Sequence, residues 1–409
     1  MTTPARSQGA DLDALLASRL RRTLAGSTLE HRVATVVFDA DHSHWTVELD
    51  RGRSRVRRGA AHRPTLVVRG RPEVLAGVVS GEASGVQAFL DGHVTVRGDL
   101  GLSLELDGLF DAADRPTSHP RARQVVAMGV RTSYLEAGPP DAPPVFLLHG
   151  LGATNASLLP CLADLARDHR VIAPDLPGFG NSAAPRASYS FPWFAAWFAE
   201  LQRAVDARHA LVLGNSLGGR IALEVGLLYP RSVRALLLLT PSPAFRKLRV
   251  VVPFARLARP ELARVPVPLS HTAMVRGIQT MFSKPERLPK AWYDAAADEA
   301  LRVYRSARRR EAFLACGRQI LLEEAHGRHG FWDRLPSLQP PALFVWGDRD
   351  RLVPAAFERH VVEALPDATS VCLEDSGHVP QFEHPETTMR VVREFLAGIE
   401  RAGLQRASR

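Results

Sequence analysis

Cysteine and lysine are both scarce in this sequence. Of the 52 lysines and arginines in the 409-residue chain, only three are lysines, and the chain has three cysteines. The cysteines are Cys161, Cys316 and Cys372. They lie far apart and show no C-x-x-C spacing, which is typical of a protein from a reducing compartment.

Long hydrophobic runs are also missing. No stretch approaches the ~18 consecutive apolar residues that span a bilayer. The first residues, "MTTPARSQGADLDALLASRLRR", lack an apolar core of signal-peptide length, because Ser18 and Arg19 interrupt the run that begins at Ala14. We therefore expect a cytoplasmic protein.

The charge balance is basic, with a formal net charge of +9. Arginine is scattered among acidic residues along the whole chain, which a codon-usage preference explains as well as an anionic partner does. The densest run, Arg305 to Arg310, is typical of a solvated helix face, so we expect no nucleic-acid binding. Attraction to anionic lipid headgroups, and with it a peripheral membrane contact, stays open.

A polar stretch with two prolines, "AADRPTSHPRARQ", separates two differently patterned regions. We interpret residues 114–124 within it as a linker. The preceding runs "ATVVFDA", "HWTVELD" and "TLVVRG" alternate like antiparallel strands with one wet face, while "RPEVLAGVVSG" and "ASGVQAFLDG" have helical spacing. Residues 10–113 are therefore predicted to form a small α+β domain.

Beyond the linker, residues 125–409 show buried strands alternating with helices. "PVFLLHG", "RVIAPDLPGFG" and "ALVLGNS" are continuous apolar runs, each followed by a helical segment. This pattern predicts a mostly parallel sheet with helices on both faces. The alternation stops between about residues 241 and 338, where an Arg-, Ala- and Leu-rich interval predicts a helical insertion.

The run "LVLGNSLGGRIAL" places one serine between a buried strand and a helix. Gly214, Gly218 and Gly219 surround Ser216, as a sharp strand-to-helix turn requires, and such a turn exposes a hydroxyl above the sheet. This G-x-S-x-G pattern resembles the nucleophile elbow of the α/β-hydrolase family, which implies an α/β-hydrolase fold with a helical cap. Ser216 is then the nucleophile.

The resemblance also implies an acid and a histidine after the serine. In "LFVWGDRDRLVP" the acid of the family pattern falls on Asp350, and Asp348 is the weaker alternative whose ordinary role is to cap the turn. In "SVCLEDSGHVPQFEHPE" the catalytic histidine falls on His378, whereas His384 opens the last helix. A histidine titrates near neutral pH, so it can take the serine proton and return it to a leaving group.

Acyl transfer further needs donors for an oxyanion. The segment "HGLGATN" follows a strand, and the resemblance assigns the donors to the backbone N–H groups of Leu151 and Leu217. His149 is interpreted as shaping this loop, and Asp175 in "DLPGFGNS" as structural. The family requires no metal and no organic cofactor.

The helical insertion would be the cap over this site. Its apolar residues would line an acyl pocket or fill the cap's own core, and they are Met274, Ile278, Met281, Phe282, Trp292 and Tyr304. Residues 250–258, "VVVPFARLA", would form an apolar cap segment or a lipid contact.

The first domain resembles the sterol carrier protein lipid-transfer fold. The features that carry the likeness are the strand with Trp45, "SGEASGVQAFLDGHVTVRGD" and a leucine-rich closing helix. The family encloses an apolar tunnel, whose candidate lining is Phe38, Trp45, Val78, Phe89, Leu100, Leu104 and Phe110. Alternatively, the domain only packs against the hydrolase or mediates dimerisation.

Taken together, the sequence predicts a serine hydrolase for an ester or thioester of a hydrophobic, lipid-like substrate, fused to a lipid-binding domain. Because "GNSLGG" also resembles the elbow of the meta-cleavage hydrolases, carbon–carbon bond hydrolysis is a second hypothesis, and a non-catalytic lipid carrier is a third. Dehalogenase and epoxide hydrolase chemistry is disfavoured, because those relatives use an aspartate in place of Ser216. The oligomeric state stays open.

Overall fold

Two β-sheets divide the chain. The computed structural model describes residues 12, 14–20, 24, 26–110, 119–244, 259–265 and 268–407. No helix among these described residues has the length and hydropathy needed to cross a membrane.

The first sheet has five strands in the order β3-β2-β1-β4-β5. Its strands are β1 Val33–Ala40, β2 Ser43–Asp50, β3 Arg53–Arg58, β4 Leu66–Gly70 and β5 Val94–Gly98. The helices that follow or cover them are α1 Pro72–Ser80, α2 Gly85–Leu90 and α3 Leu100–Phe110, and residues 14–20 are also helical.

Two features of this sheet differ from the predicted antiparallel arrangement. The pairing of β1 with β4 is parallel, because β2 and β3 extend the sheet on the other side of β1 and the chain then returns to run beside β1 in the same direction. Strand β3, "RSRVRR", was not predicted, since its arginines hide the period-two pattern at this exposed edge. Its pairing with β2 sets Val56 opposite Val47.

The second sheet has eight strands in the order β13-β12-β11-β10-β8-β9-β7-β6. Its strands are β6 Arg121–Ala127, β7 Val130–Ala137, β8 Pro144–Leu148, β9 Arg170–Pro174, β10 Ala210–Asn215, β11 Val233–Leu239, β12 Ala342–Gly347 and β13 Thr369–Leu373. Strands β8 to β13 pair in parallel, while β6 and β7 are antiparallel additions at one edge. This is the mostly parallel sheet that the sequence predicts.

Helices cover both faces of the second sheet and fill the insertion between β11 and β12. They are α4 Leu159–Leu165, α5 Phe191–Ala204, α6 Leu217–Leu228, α7 His271–Gln279, α8 Lys290–Tyr304, α9 Ala307–Leu322, α10 Phe331–Arg334, α11 Phe357–Ala364, α12 Pro380–Glu383 and α13 Pro385–Ala407. Single 3-10 turns occupy Asn155–Leu158, Pro230–Ser232, Pro260–Arg264, Pro285–Arg287 and Leu335–Ser337.

The linker, predicted to cover residues 114–124, ends before residue 121. Strand β6 begins at Arg121 and pairs residue by residue with β7, so residues 121–124 belong to the second sheet. Their polar side chains resemble a linker because β6 is an edge strand with one wet face. Residues 114–118 lie outside the described residues.

The cap is built from α7, α8, α9 and the 3-10 turn Pro260–Arg264. Within the predicted insertion, residues 245–258 and 266–267, including the apolar segment 250–258, lie outside the described residues. Arg310 was predicted on a solvated face, but its guanidinium is buried and donates to the carbonyls of Ala263 at 2.7 Å and Tyr304 at 2.8 Å. It thereby joins α9 to the turn Pro260–Arg264.

Candidate active site

The serine stands at the sharp turn between β10 and α6. Ser216 has φ +54° and ψ −115°, a backbone conformation that costs about 1–3 kcal/mol in a residue with a side chain. A Cβ atom on Gly218 would overlap the carbonyl oxygen of Leu148 in the neighbouring strand. The glycines around the serine are therefore required by close backbone packing, as predicted.

Asp350 and His378 meet on the loops that follow β12 and β13. The Nδ1 atom of His378 lies 2.7 Å from Oδ2 of Asp350, and both side chains are buried. The other carboxylate oxygen, Oδ1, accepts hydrogen bonds from the backbone N–H groups of Leu352 at 2.7 Å and Val353 at 2.9 Å. These bonds fix the carboxylate so that Oδ2 faces the imidazole and holds its Nδ1–H tautomer.

The backbone of His378 is fixed at both of its polar groups. Its carbonyl accepts from Asn215 Nδ2 at 3.2 Å and from Thr240 Oγ1 at 2.9 Å, and its N–H donates to the carbonyl of Met281 at 2.7 Å. Asn215 immediately precedes Ser216, so these bonds set the histidine directly beside the serine turn. Sequence reasoning missed both positioning side chains.

The glycine loop after β8 lies against the serine. A Cβ atom on Gly150 would stand 3.4 Å from the Cβ atom of Ser216. Leu217 is the first residue of α6, and the first N–H groups of a helix have no acceptor within it. The predicted donors, Leu151 and Leu217, are thus on the two segments that flank the serine hydroxyl.

His149 shapes this loop, as predicted from the sequence. Its Nε2 accepts from the N–H of Leu176 at 2.9 Å, so Nδ1 carries the proton and donates to the carbonyl of Gly150 at 2.8 Å. Complete burial lowers the pKa of His149 to about 4. The ring is therefore neutral at physiological pH and connects two loops.

Asp175 has the structural role that the sequence predicted. Its carboxylate accepts from the N–H groups of Asn155 at 2.9 Å and Asn181 at 2.7 Å. Burial raises the pKa of Asp175 to about 6, although the two backbone bonds oppose that rise. Asp175 holds the turn Asn155–Leu158 that follows the glycine loop.

The two alternative residues make other contacts. Asp348 accepts from the N–H of Ser376 at 3.1 Å, which is the turn-capping role expected of it. His384 Nε2 lies 3.0 Å from the carbonyl of Asp375. The structure therefore brings Asp350 rather than Asp348 to His378, and it places His384 at the start of the last helix.

Comparisons with known proteins show the families to which the two domains belong. Residues 143–385 match the family model described as alpha/beta hydrolase fold. The chain belongs to the alpha/beta hydrolase family. Residues 12–111 match the SCP-2 sterol transfer family, so this hydrolase carries an N-terminal sterol-carrier domain.

Characterised relatives of the hydrolase differ in substrate. A pimeloyl-(acyl-carrier protein) methyl ester esterase of Aeromonas hydrophila is 30% identical over 263 residues, 63% of this chain and 96% of the relative. A 2-hydroxy-6-oxo-6-(2'-aminophenyl)hexa-2,4-dienoic acid hydrolase of Metapseudomonas resinovorans is 29% identical over 70% of this chain and 93% of the relative. A solved serine hydrolase involved in carbazole degradation superposes with a TM-score of 0.57 at 25% identity, over 68% of this chain and 99% of the other.

The cap of the hydrolase packs on the histidine loop. Phe282 lies 5.2 Å from the ring of Tyr293 and packs with Val379, and Ile278 and Met281 pack against this cluster. These residues therefore form a cap core over His378. The exposed ring of Phe313 on α9 was not predicted, although it lies against Gly152 in the glycine loop.

Two of the residues expected either in an acyl pocket or in the cap core have specific partners. Trp292 stacks on Phe89 of the sterol-carrier domain, because α8 turns this side chain toward that domain. The guanidinium of Arg310 lies over the ring of Tyr304, with its central carbon 5.4 Å from the ring centre. Met274 is half-buried on α7.

Within its described residues, the sterol-carrier domain holds a small apolar cavity where a tunnel was expected. The cavity measures about 50 Å³, because the core side chains fill the space between sheet and helices. Five of the seven predicted lining residues surround it, and they are Phe38, Phe89, Leu100, Leu104 and Phe110. Trp45 and Val78 are instead buried in the domain core, and Leu159 of the hydrolase closes one side of the cavity.

Proposed function

We propose that the protein is a serine hydrolase that cleaves an ester or thioester of a hydrophobic acyl group through an acyl-enzyme. The observation that carries the proposal is the 2.7 Å contact between His378 Nδ1 and Asp350 Oδ2, held beside the Ser216 turn. A hydroxyl becomes nucleophilic when an oriented imidazole accepts its proton. The same arrangement has no use in a non-catalytic carrier.

In the proposed mechanism, the Oγ atom of Ser216 attacks the substrate carbonyl carbon while its proton passes to Nε2 of His378. Asp350 stabilises the imidazolium that forms. The proton then passes to the oxygen of the departing alkoxide or, for a thioester, to the sulfur of the departing thiolate. The acyl group stays on Ser216 as an ester. Water, deprotonated by His378, attacks this ester and releases the acid and free serine.

The negative charge of each tetrahedral intermediate needs donors on the side opposite the histidine. We assign this role to the N–H groups of Leu151 and Leu217, since both segments flank Ser216. Neutral His149 supports the assignment, because its bond to the carbonyl of Gly150 orients the loop without adding a titrating group. Loss of one such donor typically costs ~10²–10³ in kcat.

A hydrophobic substrate is supported by the sterol-carrier domain and by the apolar cap. The match to the SCP-2 sterol transfer family and the apolar lining of its cavity favour a lipid-like ligand. The relative named as a methyl ester esterase favours ester chemistry.

The unpaired thiols of the three cysteines support the cytoplasm as the protein's location.

Carbon–carbon bond hydrolysis is the second candidate, favoured by the dienoic acid hydrolase relative. The resemblance to that group rests on the asparagine before the serine. In this chain the Asn215 amide is engaged with Leu239, Thr240 and His378. The ester proposal is therefore preferred.

The test is a comparison of substrates on the full-length protein. We expect hydrolysis of p-nitrophenyl esters, with kcat/KM rising from acetyl to octanoyl chains, and no turnover of a 2-hydroxy-6-oxo-dienoate. Turnover of the dienoate with no ester hydrolysis would replace the proposal by its alternative. Failure of both would leave the lipid-carrier hypothesis.

A further inference from the structure

The sterol-carrier domain and the hydrolase share one apolar core. A single cluster of buried side chains runs from Leu100 and Leu106 of the first domain to Leu158, Leu162 and one face of the second sheet. Interfaces between mobile domains are ordinarily more polar, and relative motion is the default expectation for them. A continuous core opposes such motion.

Polar contacts tie the same domain to cap helix α8. The carboxylate of Asp298 accepts from Arg97 Nε at 2.8 Å and from the N–H of Gly98 at 2.9 Å. On the same helix, Arg302 lies 3.4 Å from Asp99 and donates to Asn181 Oδ1 at 3.1 Å. Three parts of the chain, the first domain, the cap and the hydrolase core, therefore meet at one partly buried polar cluster.

Trp292 is the aromatic centre of this interface. Its ring stacks on Phe89 with centroids 5.9 Å apart, and its indole N–H donates to the carbonyl of Phe89 at 3.1 Å. Its other side meets the ring of Phe382 edge-on at 5.5 Å. One side chain thus contacts both the sterol-carrier domain and the helix that follows the predicted catalytic histidine.

From Phe382 the contacts reach His378 within a few residues. The neighbouring Glu383 accepts from the N–H of Ser283 in the cap at 2.6 Å and from the N–H of Gly377. The N–H of His378 itself donates to Met281 of the cap. The position of the cap therefore sets the position of the histidine.

We infer that the sterol-carrier domain is a fixed brace for the cap and not a carrier that leaves the hydrolase, with Trp292 as the positioning residue. The term brace denotes the contacts of Phe89, Arg97, Gly98 and Asp99 with Trp292, Asp298 and Arg302. The inference rests on the proposed function only where activity is the readout. Its consequence is that catalysis depends on docking even for a small dissolved ester that needs no carrier.

The first experiment replaces Trp292 in the full-length protein. We expect Trp292→Ala to lower kcat for p-nitrophenyl acetate by at least tenfold with KM changed less than threefold, because the histidine is displaced while the pocket is retained. Trp292→Phe keeps a stacking ring and should recover at least half of the activity. The matched control is Trp193→Ala, which removes a half-buried tryptophan from α5, outside the brace.

Hydrogen exchange provides a readout that does not need activity. Peptides covering residues 376–384 should exchange faster in Trp292→Ala than in wild type or Trp193→Ala. Unchanged exchange there, or equal kcat losses in the two alanine variants, would overturn the brace. Absence of ester hydrolysis in the wild type would count against the proposed function alone, since the exchange result stands by itself.

A reversible cross-link tests the carrier alternative. Arg97→Cys and Asp298→Cys, combined with Cys372→Ser to remove the exposed native thiol, are joined by a short cleavable bis-maleimide. We expect the joined protein to retain at least half of the octanoyl ester turnover that it shows after cleavage of the linker. Loss of turnover on joining and its return on cleavage would show that the domain must undock.

Discussion

The side-chain amide of Asn215 donates a hydrogen bond to the main-chain carbonyl of His378, 3.2 Å away. The residue before the predicted nucleophile therefore holds the predicted base, although 163 positions separate them along the chain. Thr240 donates to the same carbonyl from the end of β11. The three loops of the site are thus joined at the His378 carbonyl, independently of the reacting side chains.

Removal of these positioning bonds is expected to lower kcat without changing substrate binding. Asn215→Ala and Thr240→Val each leave the His378 carbonyl with one donor fewer, and a displacement of about 1 Å at a catalytic group costs about 10²-fold. We expect kcat losses of 10- to 100-fold with KM within threefold of wild type. Thr240→Ser keeps the hydroxyl and serves as the control, so an equal loss in Thr240→Ser and Thr240→Val would refute the role.

Replacements of Ser216 should separate catalysis from backbone strain. Ser216→Ala and Ser216→Gly both lack the nucleophile, and we expect each to lose at least 10³-fold in kcat. Because φ is +54° at this position, glycine relieves strain that alanine retains. Ser216→Gly should therefore be more stable than Ser216→Ala by about 1 kcal/mol in chemical denaturation. An alanine variant as stable as the glycine variant would show that the turn is unstrained.

Neutralisation of the two neighbouring aspartates provides a matched pair. Asp350→Asn leaves the imidazole without its carboxylate, for which a loss of about 10⁴-fold in kcat is the precedent in serine proteases. Asp348→Asn removes a charge two residues away that caps Ser376 and pairs with the exposed Arg349, so we expect activity within threefold of wild type. Comparable losses in the two variants would return Asp348 to consideration as the acid.

Because of His149, the stability of the folded protein should depend on pH below about 6.5. Its pKa is about 4 in the folded protein against 6.5 in the unfolded chain, so the unfolded chain binds the extra proton between these values. Stability is then lost as the pH falls from 6.5 toward 4, by about 3 kcal/mol in total. Asp175 titrates in the same range with the opposite sign, because its folded pKa is raised.

The measurement therefore compares variants at each pH. We expect the difference in thermal midpoint between wild type and His149→Asn to shrink from pH 7 to pH 4.5. A difference that stays constant over this range would show that His149 titrates normally in the folded state.

Most of the site could be predicted from the polar residues that follow apolar strands in the sequence. Ser216, Asp350 and His378 each follow a short apolar run with glycine beside them, and parallel strands bring such ends to one edge of a sheet. Thr240 ends β11 in the same way and has φ +42°, so a polar residue after "ALLLL" was a usable signal. Asn215 lies inside the G-x-S-x-G pattern, which points to Ser216 and gives no sign of where the Asn215 amide bonds.

Contacts between domains were beyond prediction from local pattern. Trp292 has the helical spacing of a cap residue, and nothing in its neighbourhood shows that its ring faces Phe89 about 200 positions earlier. Strand β3 was missed because its pairing, rather than alternating hydrophobicity, stabilises it. The size of the sterol-carrier cavity depends equally on side-chain packing, which a resemblance to a family does not specify.

Covalent labelling tests the central claim most directly. Full-length wild-type protein and Ser216→Ala are treated with a p-nitrophenyl alkylphosphonate, and the adduct is located by peptide mass spectrometry while ester hydrolysis is followed. We expect one adduct per chain, on Ser216, with activity lost in proportion and no adduct at this peptide in the variant. Ester hydrolysis that continues in Ser216→Ala, or in wild type without an adduct on Ser216, would contradict the account.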